Sequence, residues 1–315
     1  VGDHIEYSIG HDPKEAPTAG TIAGGKGTCL ACGSMIENRY IRGQATSCGL
    51  GSTLIAVVAE GGRQRVYLPP TDEHSHAATR IELPADAPTQ LVPTRNHDVD
   101  RLPMYGMRRW SDAFTARQLT ALTTFSDLVG EERERVLADA LAAGLPEGER
   151  LEEGGSGAAA YADAVATYLG IAISKLTDSN NSLVTWSSSR DQSRNLFARQ
   201  AIPMSWDVCE VNPFAGAAGD LGVAVKSVSS VLWRLPANGA GRAFQADAAS
   251  RGYSNAVIST DPPYYDNIGY SDLSDFFYVW LRRSLRNIHP HLLSTVLVPK
   301  EEELVANPYR HGGKE

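Results

Sequence analysis

The chain has 315 residues, 42% of them hydrophobic. That length suits about two or three domains, each with its own core. The formal charge of −8 argues against a wholly basic surface for nucleic acid. It leaves only a local groove for phosphate, with Arg108/Arg109 and Arg282/Arg283/Arg286 as the candidate clusters; the latter three equally suit the C-terminus of a helix. No apolar run is long enough to span a bilayer, so no membrane partner is expected, and no signal-peptide pattern opens the chain. Four cysteines are too few for a disulfide framework, and a cytoplasmic location is the expectation.

Residues 1–82 read as β-rich. Leu54 to Ala59 is an apolar, β-branched run, and Arg65 to Leu68 suits a partner strand across Gly61-Gly62. Cys29-Leu30-Ala31-Cys32-Gly33 precedes them and reads as one metal-binding knuckle, or as a turn carrying two incidental cysteines. Residues 83–104 are rich in Pro, Asp and Thr without periodicity, and read as a linker.

Residues 105–200 turn helical. Thr115 to Gln118 fits a capping box, with Phe114 and Leu119 as its hydrophobic staple. Leu119, Leu122, Phe125 and Val129 form one stripe that Gly130 should stop, and a charged helix from Glu131 to Ala143 should follow. Residues 146–157 are Gly- and Glu-rich and read as a flexible loop. Tyr161, Val165, Tyr168/Leu169, Ala172/Ile173 and Leu176 form a second stripe, and a further helix is expected over Arg190 to Arg199.

From residue 201 the texture changes to alternating strand and helix. Trp206 to Val211, Arg242 to Ala246 and Ala256 to Thr260 read as strands, the last two ending at Asp247 and Asp261; Leu221 to Leu235 reads as a helix, and Leu273, Phe276/Phe277, Trp280/Leu281 and Leu285 mark another. Such alternation predicts an α/β fold with a parallel, doubly wound sheet, whose ligands sit beyond the carboxyl ends of the strands.

Asp261-Pro262-Pro263-Tyr264 falls at such an end. An acid, two prolines and a ring there suit one chemistry in particular. The exocyclic amine of a nucleobase is a poor nucleophile because its lone pair is delocalised. Two acceptors on its hydrogens localise that pair and stabilise charge as an electrophile arrives. The Asp261 carboxylate and the Pro262 carbonyl supply two acceptors, successive prolines hold the carbonyl rigid, and Tyr264 can stack on an extruded base. Alone, the tetrapeptide also reads as a turn.

Residues 261–283, Asp-Pro-Pro-Tyr-Tyr-Asp-Asn-Ile-Gly-Tyr-Ser-Asp-Leu-Ser-Asp-Phe-Phe-Tyr-Val-Trp-Leu-Arg-Arg, resemble the active-site region of the large bacterial and archaeal adenine-specific DNA methylases that contain a zinc ribbon. Tyr105 to Leu119 and Arg199 to Asp207 are similar to that family's middle region, and Pro299 to Leu304 to its continuation; the resemblance runs from about Gly20 to the end. It implies a Rossmann-like methyltransferase fold, a helical middle region and a small zinc-ribbon-like N-terminal region. It implies S-adenosylmethionine as methyl donor, adenine in DNA as target, and a restriction-modification or phage-defence setting. Amine holding then falls to Asp261 and Pro262, supported by Pro263, and stacking to Tyr264. Asp247 suits an acid near the adenine of the donor, or a helix cap. Glu210 suits its ribose hydroxyls.

Two parts of the family's equipment are expected outside this chain. Its donor loop lies upstream, and the lookalike Val211-Asn212-Pro213-Phe214-Ala215-Gly216-Ala217-Ala218-Gly219-Asp220 has Asn for Asp and a displaced second glycine. Asn212 and Phe214 therefore read as a donor-pocket edge, and weak or no donor binding is expected. Cys29 and Cys32 are half of a four-ligand zinc site; Cys48, His74 and His76 lie beyond without a second C-x-x-C, His74 and His76 read as surface residues, and Cys209 reads as core. The chain starts Val-Gly-Asp and stops at Gly-Gly-Lys-Glu, which reads as a piece of a longer frame, so the partners expected are DNA and a missing N-terminal part or companion subunit. The alternatives are a methyltransferase for the cytosine amine or for RNA, and a non-catalytic zinc-ribbon nucleic-acid-binding protein.

Overall fold

The computed structural model describes residues 7–10, 12, 14–15, 20–62, 64–94, 99, 101–235, 241, 246–247, 250–262, 264–265, 268–301 and 303–311. The N-terminal part is built of short antiparallel pairs. β1 (Ile22–Ala23), β2 (Lys26–Thr28) and β3 (Met35–Glu37) form one sheet, followed by α1 (Asn38–Cys48). β4 (Val57–Gly61) pairs with β5 (Gln64–Leu68) in the expected hairpin, Val57 facing Leu68 and Gly61 facing Gln64. α2 (Asp72–Thr79) follows, capped by Thr71, whose hydroxyl accepts from His74 N–H at 3.3 Å while the His74 ring accepts from Thr71 N–H. The ring of His74 thus serves as a cap.

The stretch expected to be a linker contributes to the core. Val92 and Val99 are buried, and α3 (Arg101–Met104) buries Leu102. Trp110 N–H donates to the Gln90 carbonyl at 3.0 Å, so this segment runs against the next one and does not merely connect domains.

α4 (Ala116–Ala142) begins at the expected capping box: Gln118 N–H donates to the Thr115 hydroxyl at 3.2 Å and Thr115 N–H to the Gln118 side chain at 2.9 Å. Phe114 and Leu119, the expected staple, are both buried. The helix does not stop at Gly130. One interior glycine costs a helix only about 1 kcal/mol relative to alanine, and the strong helix formers after it carry the helix on.

The loop over 146–157 is folded tightly. Ala158 N–H bonds Pro146 O at 2.8 Å, Gly155 N–H bonds Arg150 O at 3.0 Å, and a Cβ at Gly148 would fall 1.7 Å from Ser156 O. Glycine serves close approach here, not mobility. α5 (Ala158–Thr177) follows. It buries the small face Ala162, Ala166 and Gly170 together with Ile173 and Leu176, and leaves Tyr161 and Tyr168 outward, so the expected stripe holds only in its C-terminal half.

No helix forms over Arg190 to Arg199. β6 (Trp186–Ser187) turns back on β7 (Gln192–Ser193) through Asp191, whose φ is +46°. The Tyr67 hydroxyl donates to Asp191 at 2.7 Å and accepts from the Trp186 indole at 3.0 Å, tying this hairpin to β5.

α6 (Leu221–Leu232) and α7 (Tyr270–Leu285) stand at the expected places. The centre of the molecule is α4, α5 and α7, joined by an aromatic cluster in which Phe276 meets Phe114 at 5.5 Å and Trp110 at 6.0 Å, and Trp280 meets Phe114 at 5.3 Å. Gly170 lets α5 approach α7: a Cβ there would lie 2.7 Å from Leu285.

The fold is therefore mixed α/β, with seven α-helices and small antiparallel sheets among the described residues. The expected parallel strands are not seen there. Among the described residues Trp206 to Val211 makes one backbone bond to a neighbouring segment, Cys209 N–H to Val184 O at 2.9 Å. Ala256 to Thr260 is exposed throughout, with Val257 fully so. Residues 242–245, most of the remaining expected strand, lie outside the described residues. An apolar strand of a parallel sheet needs neighbours beside it and helices over both faces. Neither covers 256–260 among the described residues. No helix among them is long and apolar enough to cross a membrane.

Candidate active site

Asp261, Pro262 and Tyr264 are exposed on the segment that leads into α7; Pro263 lies outside the described residues. Tyr264 keeps 73% of its surface exposed. The segment is anchored just beyond it, where Ala306 N–H donates to the Tyr265 carbonyl at 3.0 Å and Tyr265 adopts a φ of +52°. A non-glycine residue in this region is uncommon and marks a turn held by its surroundings.

What holds α7 is a charged network that the sequence reading missed. Asp272 and Asp275 have no exposed surface. Arg310 binds Asp272 and also Glu303, the latter at 2.9 Å. Glu303 accepts from Ser271 N–H at 2.7 Å and from the Ser271 hydroxyl at 2.5 Å, on the first turn of the helix. Lys300 reaches both oxygens of Asp275, at 3.0 and 2.8 Å. Burial raises the Asp275 carboxyl, against the lowering pull of Lys300. Residues 300–310 therefore fold back and clamp the helix that follows the Asp261 segment. The available signal was two acids three apart on the same face as Phe276 and Val279, with lysine, glutamate and arginine downstream to answer them.

Beside the first turns of α7 opens a cavity of about 270 Å³, lined among others by Phe197, Arg199, Gln200, Tyr270, Ser274 and Phe277. The Phe197 and Phe277 rings are 4.9 Å apart. Arg199 and Gln200 belong to one of the four stretches that carry the resemblance, and Tyr270 to Phe277 to another.

The loop from Val211 to Asp220 is ordered by its own side chains. Asn212 accepts from Phe214 N–H at 3.0 Å, and Asp220 accepts from Gly216 N–H at 2.8 Å and Val223 N–H at 2.9 Å, capping α6. These backbone bonds, Gly216 first, hold the Asp220 carboxyl below the usual range despite some desolvation. A carboxylate already occupies this helix start, and two loop N–H groups are spent internally. The loop in this form does not fit the carboxylate of a donor such as S-adenosylmethionine. Phe214 is exposed, with its ring 5.8 Å from Phe125. Glu210 is engaged by Arg117 at 2.7 and 2.6 Å and by the Thr115 hydroxyl at 3.2 Å, which ties the loop to the start of α4. Asp247 is half-buried, and its carbonyl accepts from the Ser250 hydroxyl at 3.4 Å.

Cys29 and Cys32 sit on the turn between β2 and β3. Cys29 N–H donates to Ser34 O at 2.9 Å and Gly33 N–H to Cys29 O at 2.8 Å, with Gly33 at a φ of +72°. The Ser34 hydroxyl, 3.2 Å away, is the main cause of a lowered Cys32 thiol, helped by the Ser34 backbone and Cys29. A lowered thiol favours the thiolate that binds metal. Structural zinc needs four ligands, and no group of three or more His, Cys, Asp or Glu among the described residues is arranged to hold a metal. Cys48 is exposed at the end of α1, and Cys209 is half-buried against the core, its thiol pushed up to about 11 by burial.

Of the basic clusters, Arg283 is spent on Asp127 and Asp86, while Arg108, Arg109 and Arg286 are exposed. No protein-family model, curated protein or solved structure is significantly similar to the chain.

Proposed function

We propose that this chain carries the target-amine half of an S-adenosylmethionine-dependent methyltransferase acting on the exocyclic amine of adenine in DNA. The carrying observation is the Asp261-Pro262-Pro263-Tyr264 segment, whose described residues are exposed at the approach to α7. Two features of the packing support the reading. Three of the four stretches that carry the resemblance meet in space: Trp110 and Phe114 contact Phe276 and Trp280, and Arg199 and Gln200 share a cavity with Tyr270. The clamp from Lys300, Glu303 and Arg310 gives the segment a rigid foundation.

In this reading Asp261 and the Pro262 carbonyl accept the two amine hydrogens, and Tyr264 stacks on the extruded base. The lone pair so localised would face the methyl that a donor brings when bound. The donor supplies that methyl from a sulfonium. Because the 211–220 loop spends the Phe214 and Gly216 N–H groups on Asn212 and Asp220, donor binding by this chain alone is weak. A Rossmann-like catalytic sheet, a four-ligand zinc ribbon completed by other chain, and DNA as partner belong to the same proposal.

Nucleoside mass spectrometry tests it: DNA exposed to the protein within its natural reading frame gains methyl on the adenine amine, and Asp261→Ala abolishes the gain. Methyl on cytosine, or on RNA alone, would instead select the nearest alternatives. DNA binding without donor binding would select the non-catalytic one.

A further inference from the structure

A second cavity, of about 260 Å³, lies between the β1–β2 turn, α1, α3 and the segment at Met204 to Trp206. None of its lining residues belongs to the Asp261 segment or to the 211–220 loop. Its walls carry two arginines, Arg42 and Arg101, and no carboxylate, in a chain whose net charge is −8. The Arg42 guanidinium sits over the Tyr105 ring at 5.4 Å, and the buried Arg42 Nε has no acceptor among the described residues.

The aromatic part is equally defined. Tyr105 and Trp206 meet edge to face at 5.4 Å, and Trp206 keeps 37% of its surface exposed. The Tyr105 hydroxyl donates to Asn38 Oδ1 at 3.1 Å, which fixes the Asn38 amide and leaves its Nδ2 as a donor. Asn38 opens α1, and Glu37 before it makes no side-chain cap. The cavity walls are held close: Gly106 has a φ of +84°, and a Cβ there would lie 2.5 Å from Ala45 O of α1.

Two guanidiniums suit a phosphate dianion, an exposed indole suits a planar heterocycle, and a fixed amide suits the heterocycle's edge. Pockets for drug-sized ligands hold about 300–1,000 Å³, so a cavity just under that range takes one small unit. We propose that this cavity binds a single nucleoside monophosphate unit, its phosphate between Arg42 and Arg101 and its base against Trp206. The unit is either a free nucleotide or one residue of a single strand. The site stands independently of the methyl-transfer reading.

Titration calorimetry of the whole chain with adenosine monophosphate, adenosine, inorganic phosphate and a single-stranded octadeoxyadenylate tests this. Adenosine monophosphate binds, and adenosine and phosphate bind at least about tenfold more weakly, a difference of about 1.4 kcal/mol. Arg101→Gln, at an exposed position with little effect on folding, and Arg42→Ala each weaken binding by about tenfold. Tighter binding of the octamer with the same sensitivity identifies a strand as the source; an octamer no tighter than the mononucleotide identifies the free nucleotide. Absence of binding by both at millimolar concentration, adenosine binding as well as its monophosphate, or binding unchanged in both variants while their melting curves match the parent, overturns the inference.

Discussion

Asp163 has no exposed surface, and its two oxygens accept from Arg133 and Arg150, each at 2.6 Å, and from Leu151 N–H at 3.2 Å. Burial pushes this carboxyl up, but the hydrogen bonds from Arg150 and Arg133 outweigh it and leave it below its ordinary value. Its contribution is therefore complete above about pH 4, the ordinary range of an aspartate, and is lost as pH falls through the lower folded value. Asp163→Ala leaves Arg133 with only the exposed Glu134 as partner and should cost about 3–5 kcal/mol in urea unfolding. His289 titrates in a different window. Burial lowers its imidazole, and its Nε2 lies 2.8 Å from the Thr167 hydroxyl. The unfolded chain therefore takes up a proton first, and stability falls as pH drops below about 6.5. His289→Gln should flatten the slope of melting temperature below about pH 6.5; an unchanged slope would refute this role. Neither residue stood out in the sequence, because what makes an aspartate in an alanine-rich helix structural is a pair of arginines distant along the chain.

At the scale of elements, local chemistry was readable and approach between elements was not. Thr115 and Gln118 form the expected cap, and Thr115→Ala should cost about 0.5–2 kcal/mol, measured as a shift in the unfolding midpoint. The Glu210 contact at 3.2 Å places Thr115 toward the upper end of that range. Gly130 was read as a stop because glycine often ends helices, yet a single glycine is a small penalty against a helix of 27 residues. Gly170 shows the opposite case. Nothing in its neighbours along the chain distinguishes it, but it sets the distance between α5 and α7. Gly170→Ala forces a methyl to within 2.7 Å of Leu285 and should lower stability by about 1–3 kcal/mol despite alanine's better helix propensity; a more stable variant would show that α7 can give way. The expected strand over 256–260 failed for a related reason. Its apolar pattern states what would be buried if partners came, and the partners are not part of the pattern.

For the molecule as a whole, the mixed α/β class and the helices α4 to α7 were legible, whereas α1, α2 and α3 were not and the helix expected over 190–199 does not form. The candidate site was legible as a tetrapeptide only. Its foundation, the clamp of residues 300–310 on α7, depends on contacts between segments far apart on the surface of the sequence pattern, where charge alternation gives no address. The same holds for the Glu210 carboxylate, which Arg117 and Thr115 engage at the start of α4. The account's central claim is that Asp261 holds an adenine amine for methyl transfer. Expression of the open reading frame containing this chain, in a host whose DNA lacks methylated adenine, tests it most directly, with nucleoside mass spectrometry of the host DNA as readout. The account predicts N6-methyladenine in cells carrying the native frame and none with Asp261→Ala at equal protein level. No N6-methyladenine with the native frame, or the same amount with Asp261→Ala, would contradict it.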